Sequence, residues 1–578
     1  SEIDWRPLGV VLVRVNVSAT SGGLLIPPLW QLVVSLICVA ATYTTMRGVG
    51  VTRWGAWVVA ALLALMLVLA LARWPLQVAP FTVQIAGLLL MLALYAMAVG
   101  ALARSNVAGS AASIALIDGL LLMGLAFWLM PIYQLIMTLD GTPAVTPYPP
   151  TLWVTIGVVL ASALGLRVLA ARRSLHRWRQ ALLGVLAVAA VIHLAVMIEY
   201  ALGRSGPDFW ILFRGAREWF RGNALYDLQG VIENHFGHVL KVPPFYAMLF
   251  VPFVQQDGLM ILFWHRMINI GLLVLTLVLL LTSFRIRLFS ILGAGLLLLF
   301  NMRPLADTIA FGQIDILLLL LLTMALIALQ RSRDGIAGIA VALGTLFKLY
   351  PALLLIFFIT QRQWRAVISF FLTLLLCTGF AVVVMGWDVH MTYLLDVLPR
   401  IGGGTSWVEN QTINGFLSRL FAPNIVAAKF EHPVVTLLTI VAFLALLGLA
   451  VALAWRHVPA SSTRLPLLFG LFVLLMVLAV PAAWMHYQTI TILTFFSLLL
   501  ASQHAGMTRW QAAMLGLAYA LIAYGNQWSF YNNSITSGLT VLGTSYKFYG
   551  LLLLLVLVLW QLVHGADATQ ADEKRIAA

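Results

Sequence analysis

Long apolar runs recur from Leu29 almost to the C-terminus, and several approach the roughly 20 residues a helix needs to cross a bilayer. The runs are continuous rather than alternating, which fits membrane helices and not an outer-membrane barrel. Composition points the same way. Of 578 residues, 62% are hydrophobic and 9% charged, against about 25% charged in ordinary soluble chains. A soluble fold this apolar could not cover its surface with polar groups. The expected fold class is therefore all-α, a polytopic integral membrane protein surrounded by membrane lipids.

Spans are expected near 29–46, 55–73, 82–103, 113–136, 151–170 and 181–202. Others fall near 257–282, 288–301, 313–330, 366–386, 433–455, 465–482, 484–501, 510–525 and 547–564, about 15 in all. The stretch 335–360 holds Lys348 and Pro351 at its middle and reads as two short helices meeting at a break. Irregular backbone at membrane depth is tolerated only against protein or water. Cys38 and Cys377 lie inside apolar runs, a placement that suits neither a metal nor a disulfide. Ser1 to Pro28 lacks the pattern of a cleavable signal peptide.

The net charge of +14 is explained by basic cytoplasmic loops and does not call for nucleic acid. Arg172, Arg173, Arg177 and Arg179 form the strongest basic loop. Arg285/Arg287, Arg331/Arg333, Arg362/Arg365, Arg456/Arg464, Arg509 and Lys574/Arg575 follow. Placing these in the cytoplasm sends 203–243, 302–312, 387–432, the turn at Trp484–His486 and 526–546 to the opposite face. Residues 1–180 hold few polar residues inside their spans and read as a membrane scaffold. Residues 181–578 carry the polar chemistry, with outer loops at 203–256 and 387–432.

Several groups of residues, most of them on that face, could do chemistry. Asp208, in Gly206-Pro207-Asp208-Phe209-Trp210, directly follows a span. A carboxylate there can take a proton from an attacking sugar hydroxyl; equally, it can cap a helix. Phe209 to Leu225 has the apolar spacing of an in-plane amphipathic helix, and Tyr226 follows it in the loop as a substrate-binding candidate. Glu233, His235 and His238 lack the spacing of a known metal site, so no metal or other cofactor is assigned. Arg303, Asp307 and Asp315 flank the next outer segment, and Asp315 enters a span, where it serves a site unless these charges are a structural pair, Arg303 with Asp315 or Arg303 with Asp307. Lys348 lies far from both ends of a long apolar stretch, either snorkelling to an interface or facing a lipid-linked phosphate. Asn410 and Gln411 follow a glycine-rich stretch, and their amides could read sugar hydroxyls. His486 lies between two apolar spans, as a phosphate or hydroxyl partner or as a packed helix histidine.

The order of these pieces resembles the polytopic GT-C glycosyltransferases, and more narrowly glycosyltransferase family 87, the polyprenol-phosphate-mannose-dependent mannosyltransferases. The resemblance is carried by PDFWILFRGAREWFRGNALYD, VPPFYAMLFVPF, NMRPLADTIAFGQIDILLLLLL, GTLFKLYPALLL, ENQTINGFLSRL and VPAAWMHYQTI, from about 200 to 490. It implies a polyprenyl-phosphate-sugar donor, a glycolipid or glycan acceptor, inversion at the anomeric carbon, and Asp208 as catalytic base. It also makes Gln313, Lys348, Asn410, Gln411 and His486 binding candidates. Where the family often has serine-proline then serine-tryptophan before its histidine, this chain has Val480-Pro481-Ala482-Ala483-Trp484 and lacks those hydroxyls. The implied location is a bacterial cytoplasmic membrane, with the site on its outer face. Other classes share parts of the pattern. A lipid-linked oligosaccharide ligase or polymerase would need a large outer loop, a transporter would need paired broken helices, and a non-catalytic subunit would need neither.

Overall fold

A computed structural model describes residues 29–48, 51–73, scattered parts of 79–97 and 187–200, then 201–226, 240–401 except 289, 404–422, 432–505 except 461 and 463, 507–523 and 543–577. The expected spans 113–136 and 151–170, and the residues Glu233, His235 and His238, lie outside them. Every regular element among the described residues is helical. Among the described residues, eight helices are long and apolar enough to cross a membrane, and further apolar helices of 10–17 residues accompany them.

The chain forms two compact units, residues 1–101 with 131–153, and 102–130 with 154–578. In the first, helices Leu29–Gly48 and Arg53–Arg73 pack together. Buried in it, Gln31 Nε2 donates to Thr82 Oγ1 at 2.8 Å. The second unit carries all the site candidates.

At the centre of the second unit runs helix Arg464–Ala479, whose residues from Leu465 to Leu478 are all buried. A helix apolar on every side suits either such a core or the surrounding lipid, and this one lies in the core. Phe357, Phe469 and Phe472 pack there edge to face. Helices Trp364–Met385 and Pro433–Ala454 instead leave Leu375, Val383 and Leu437 exposed, as lipid-facing helices do.

Three local features build the site. The loop helix Pro207–Phe220 begins with Pro207 and buries Phe209, Leu212, Phe213 and Ala216 along one stripe. Its N-cap is Gly206, in the left-handed region at φ 69°, so Asp208 lies in the first turn and is not the cap. Residues 302–312, read from sequence as loop, form helix Arg303–Phe311. Pro304 starts it, left-handed Gly312 ends it at φ 73°, and Pro304 to Ala310 are all buried. Helix Asp334–Phe347 ends at Lys348, whose backbone is extended, and a 3₁₀ turn Tyr350–Leu353 leads into helix Leu354–Thr360. Pro351 lacks an N–H and disfavours helical geometry in the residue before it, so the helix cannot run through.

Gly338 fixes how closely helices Asp334–Phe347 and Trp364–Met385 approach, because a Cβ there would strike the Ala366 backbone. Replacing Gly338 by Leu should cost about 1–3 kcal/mol by forcing the helices apart. Thermal unfolding of the purified protein in detergent should show a lowered midpoint; an unchanged midpoint would contradict the contact.

Candidate functional site

Gly312 turns the chain so that Gln313 faces the loop helix. A Cβ on Gly312 would lie 2.5 Å from Phe209 Cβ, so only glycine allows this approach. Gln313 Nε2 then donates to Asp208 Oδ2 at 2.8 Å. Both side chains are half-buried. This bond holds one carboxylate oxygen and orients the other.

Two residues beyond Gln313, Asp315 opens helix Asp315–Gln330 and is fully buried. Its carboxylate is favoured there by the free N–H groups of the first turn. Lys348 Nζ donates to both its oxygens, at 2.8 and 2.9 Å. The Tyr350 hydroxyl donates to Asp315 Oδ1 at 3.2 Å. The ammonium also lies 3.7 Å from the centre of the Tyr487 ring. Lys348 is thus paired across the helix break and does not snorkel to an interface.

His486 stands beside this pair in the 3₁₀ turn Met485–Ile490. It is buried, with Nε2 at 3.7 Å from Asp315 Oδ2, too far for a hydrogen bond. Neither ring nitrogen has a hydrogen-bond partner, and the Gln488 side-chain oxygen is likewise unpaired. Polar atoms are seldom left so when buried. The Asp208–Gln313 bond, the short step along the chain from Gln313 to Asp315, and the Asp315–Lys348 pair with His486 beside it join these five residues into one neighbourhood.

The remaining candidates sit differently. Arg303 Nε donates to Asp307 Oδ1 at 2.8 Å, and its guanidinium stacks on Tyr200. It occupies the far end of its helix from Gln313, roughly 12 Å along the axis. Asn410 Nδ2 donates to the carbonyls of Thr405 and Pro481, and its oxygen accepts from Thr412 Oγ1 and Ala483 N. Gln411 Nε2 donates to the Val408 and Thr544 carbonyls, and its oxygen accepts from Phe548 N. These amides clamp the 405–411 loop to the segments at 481–483 and 544–548. The Tyr226 hydroxyl donates to the Val242 carbonyl at 2.8 Å, and its ring packs near Tyr393.

Several buried charges escaped the sequence reading. Arg419 holds Ser545 and the carbonyls of Trp407 and Asn410. Lys547 donates to the Ile522 carbonyl at 2.7 Å, and Arg266 lies mid-helix in Gly258–Ser283. The available signal was an ionisable residue inside or beside an apolar run. Glu409 projects from the clamped loop. Burial pushes its carboxyl up to about 7, the charges of Asp307 and Asp208 push the same way, and Lys547 and Trp407 pull it back. Among the described residues, no group of three His, Cys, Asp or Glu is placed to hold a metal ion.

With this geometry in hand, known proteins give context. Residues 242–481 match the profile of Glycosyltransferase family 87. The chain is 31% identical over 187 residues to a polyprenol-phosphate-mannose-dependent alpha-(1-2)-phosphatidylinositol pentamannoside mannosyltransferase of Mycolicibacterium smegmatis, covering 32% of this chain and 42% of that protein. It is 28% identical over 241 residues to a polyprenol-phosphate-mannose-dependent alpha-(1-2)-phosphatidylinositol mannoside mannosyltransferase of Mycobacterium tuberculosis, covering 37% and 53%. The chain thus spans about half the length, or less, of these curated relatives. No solved structure matches it. The matched region is glycosyltransferase-family-87-like and includes Arg303, Gln313, Asp315, Lys348, Asn410 and Gln411, while Asp208 lies well before its start and His486 just beyond its end.

Two outcomes follow. Replacing Lys348 by Met strands the Asp315 carboxylate and should cost about 3–5 kcal/mol. The double replacement Asp315→Asn with Lys348→Met should recover most of that loss in thermal unfolding; equal damage in both would contradict the pairing. For Glu409, the folded state keeps the proton after the unfolded chain, near 4.5, has lost it. Its contribution to stability therefore falls as pH rises from 4.5 through about 7. The Glu409→Gln protein should match the parent near pH 4 and melt at higher temperature at pH 8. A melting difference that does not change with pH would refute the half-buried, protonated carboxyl.

Proposed function

We propose that the chain transfers a single sugar, mannose or another hexose or pentose, from a polyprenyl-phosphate donor to a glycolipid or glycan acceptor outside the cytoplasm. The observation that carries this reading is the Asp208–Gln313 bond, set beside the buried Asp315–Lys348–His486 group. A carboxylate held by an amide through one oxygen keeps the other in reserve, as a general base needs. The adjoining group, closed to water and fixed by its own bonds, suits a departing phosphate. The names of the relatives support the donor class.

The mechanism we infer is a single inverting displacement. Asp208 takes the proton of the acceptor hydroxyl. Its oxygen attacks the anomeric carbon, and the bond to phosphate breaks with its electron pair passing to the phosphate. Lys348, His486 and Arg303 are the groups we assign to that phosphate. Lys348 and Arg303 are already paired with Asp315 and Asp307, so an arriving phosphate competes with those carboxylates. The unpartnered His486 is the group with hydrogen-bonding capacity to spare. Gln313, Asp315, Asn410, Gln411 and Tyr226 form or brace the sugar and acceptor side. We assign residues 1–180 a scaffold role, the protein to the bacterial cytoplasmic membrane, and the site to its outer face. The reaction as written uses no metal ion.

The test is a transfer assay with polyprenyl-phosphate-mannose and a small panel of other polyprenyl-phosphate sugars. Asp208→Asn should abolish transfer, a loss of at least roughly 100-fold, with donor affinity nearly unchanged. Full activity in that protein would remove Asp208 as the base.

A further inference from the structure

Arg266 lies in the long helix Gly258–Ser283 and is 5% exposed. Its guanidinium reaches four backbone carbonyls. Nη1 donates to Leu202 O at 3.0 Å and Nη2 to Arg204 O at 2.7 Å. Nε donates to Ile309 O at 3.2 Å and Nη2 also to Ala310 O at 3.0 Å. Leu202 and Arg204 stand just before Asp208 in the chain. Ile309 and Ala310 are in the last turn of Arg303–Phe311, just before Gly312 and Gln313. The last carbonyls of a helix have no partner within it and carry its negative end, so a cation there meets both needs.

The same face of the long helix receives the chain on its way to Asp208. A Cβ built on Gly206, at φ 69°, would lie 3.0 Å from Leu262 Cδ1 and 3.4 Å from Arg266 Nη2. The two segments that meet in the Asp208–Gln313 bond are thus each tied to one rigid planar fork. A lysine cannot replace it, because three donors on a single nitrogen do not span two strands of chain.

We infer that Arg266 is the positioning residue of the site, holding 202–204 and 309–310 in the register that lets Gln313 orient the Asp208 carboxylate. This role rests on the reading of Asp208 as the general base, and the experiment separates the two. Arg266→Lys, which keeps the charge, and Arg266→Gln, which removes it, are prepared as full chains in lipid nanodiscs. Hydrogen–deuterium exchange should rise at 202–208 and at 309–313 and stay unchanged in the core helix Arg464–Ala479. With polyprenyl-phosphate-mannose, kcat should fall about 10–100-fold while donor KM stays within about threefold, as expected for a misplaced group. Combining Arg266→Lys with Gln313→Ala should cost no more than about threefold beyond the worse single variant.

Unchanged exchange at either segment would overturn the inference. So would losses that multiply in the double variant, a change confined to KM, or failure of both variants to fold, which would make Arg266 a general fold determinant. If the unmutated chain transfers no sugar, the proposed function fails, and the exchange pattern alone decides the case for Arg266.

Discussion

A carboxylate and an ammonium closed off from water stay charged only while each holds the other. Asp315 and Lys348 are such a pair, and much of the site's geometry follows from them. Lys348 stands where helix Asp334–Phe347 stops, and Asp315 where helix Asp315–Gln330 starts. Their bond ties these adjacent helices at one end, against which Tyr350, His486 and Tyr487 are set. The break at Pro351 supplies the room: a continuous helix would leave no extended residue at 348 to turn its side chain toward Asp315.

Around that pair the fold spends polar groups mainly on holding backbone. Arg266 grips the two segments that bear Asp208 and Gln313. Asn410, Gln411 and Arg419 fasten the loop that presents Glu409. Such fastening has a physical reason. Near the membrane, irregular chain survives only where its N–H and C=O groups are satisfied by protein. The proposed transfer of a lipid-linked sugar would call for such irregular chain beside the hydrocarbon layer, and a network of buried amides and guanidinium groups holds it here. His486 and the second oxygen of Asp208 are among the groups left uncommitted, and they are the ones beside the Asp315–Lys348 pair.

Much of this was legible in the residues, but unevenly. Continuous apolar runs gave away the membrane class, because nothing else buries so much hydrocarbon. Lys348 beside Pro351 marked the break, since a charge and an imino acid both disfavour an unbroken span. Glycine, proline and aspartate at 206–208 marked the start of the loop helix, although the cap proved to be Gly206. Partnerships were harder to read. Asp315 and Lys348 are 33 residues apart, and the nearer Arg303 stood as the expected ion-pair partner of either Asp315 or Asp307. Helix Arg303–Phe311 was hidden by its own polar residues, which resemble a loop until Arg303 is seen to pair with Asp307 one turn on. The amides of Asn410 and Gln411 drew attention as sugar readers, but nothing local reveals that their hydrogen bonds go to backbone far along the chain. Arg266, Arg419 and Lys547 were visible as charges in or near apolar runs, and were obscured by stronger motifs nearby.

The central claim is that Asp208 and the Asp315–Lys348–His486 group face one bound donor. The most direct measurement is a structure of the full chain with a non-cleavable polyprenyl-phosphonate sugar. The account predicts the phosphonate within hydrogen-bond reach of His486 or Lys348, and the anomeric carbon on the side of Asp208, with space between them for one hydroxyl. A phosphonate seated elsewhere, or a sugar separated from Asp208 by protein, would contradict it.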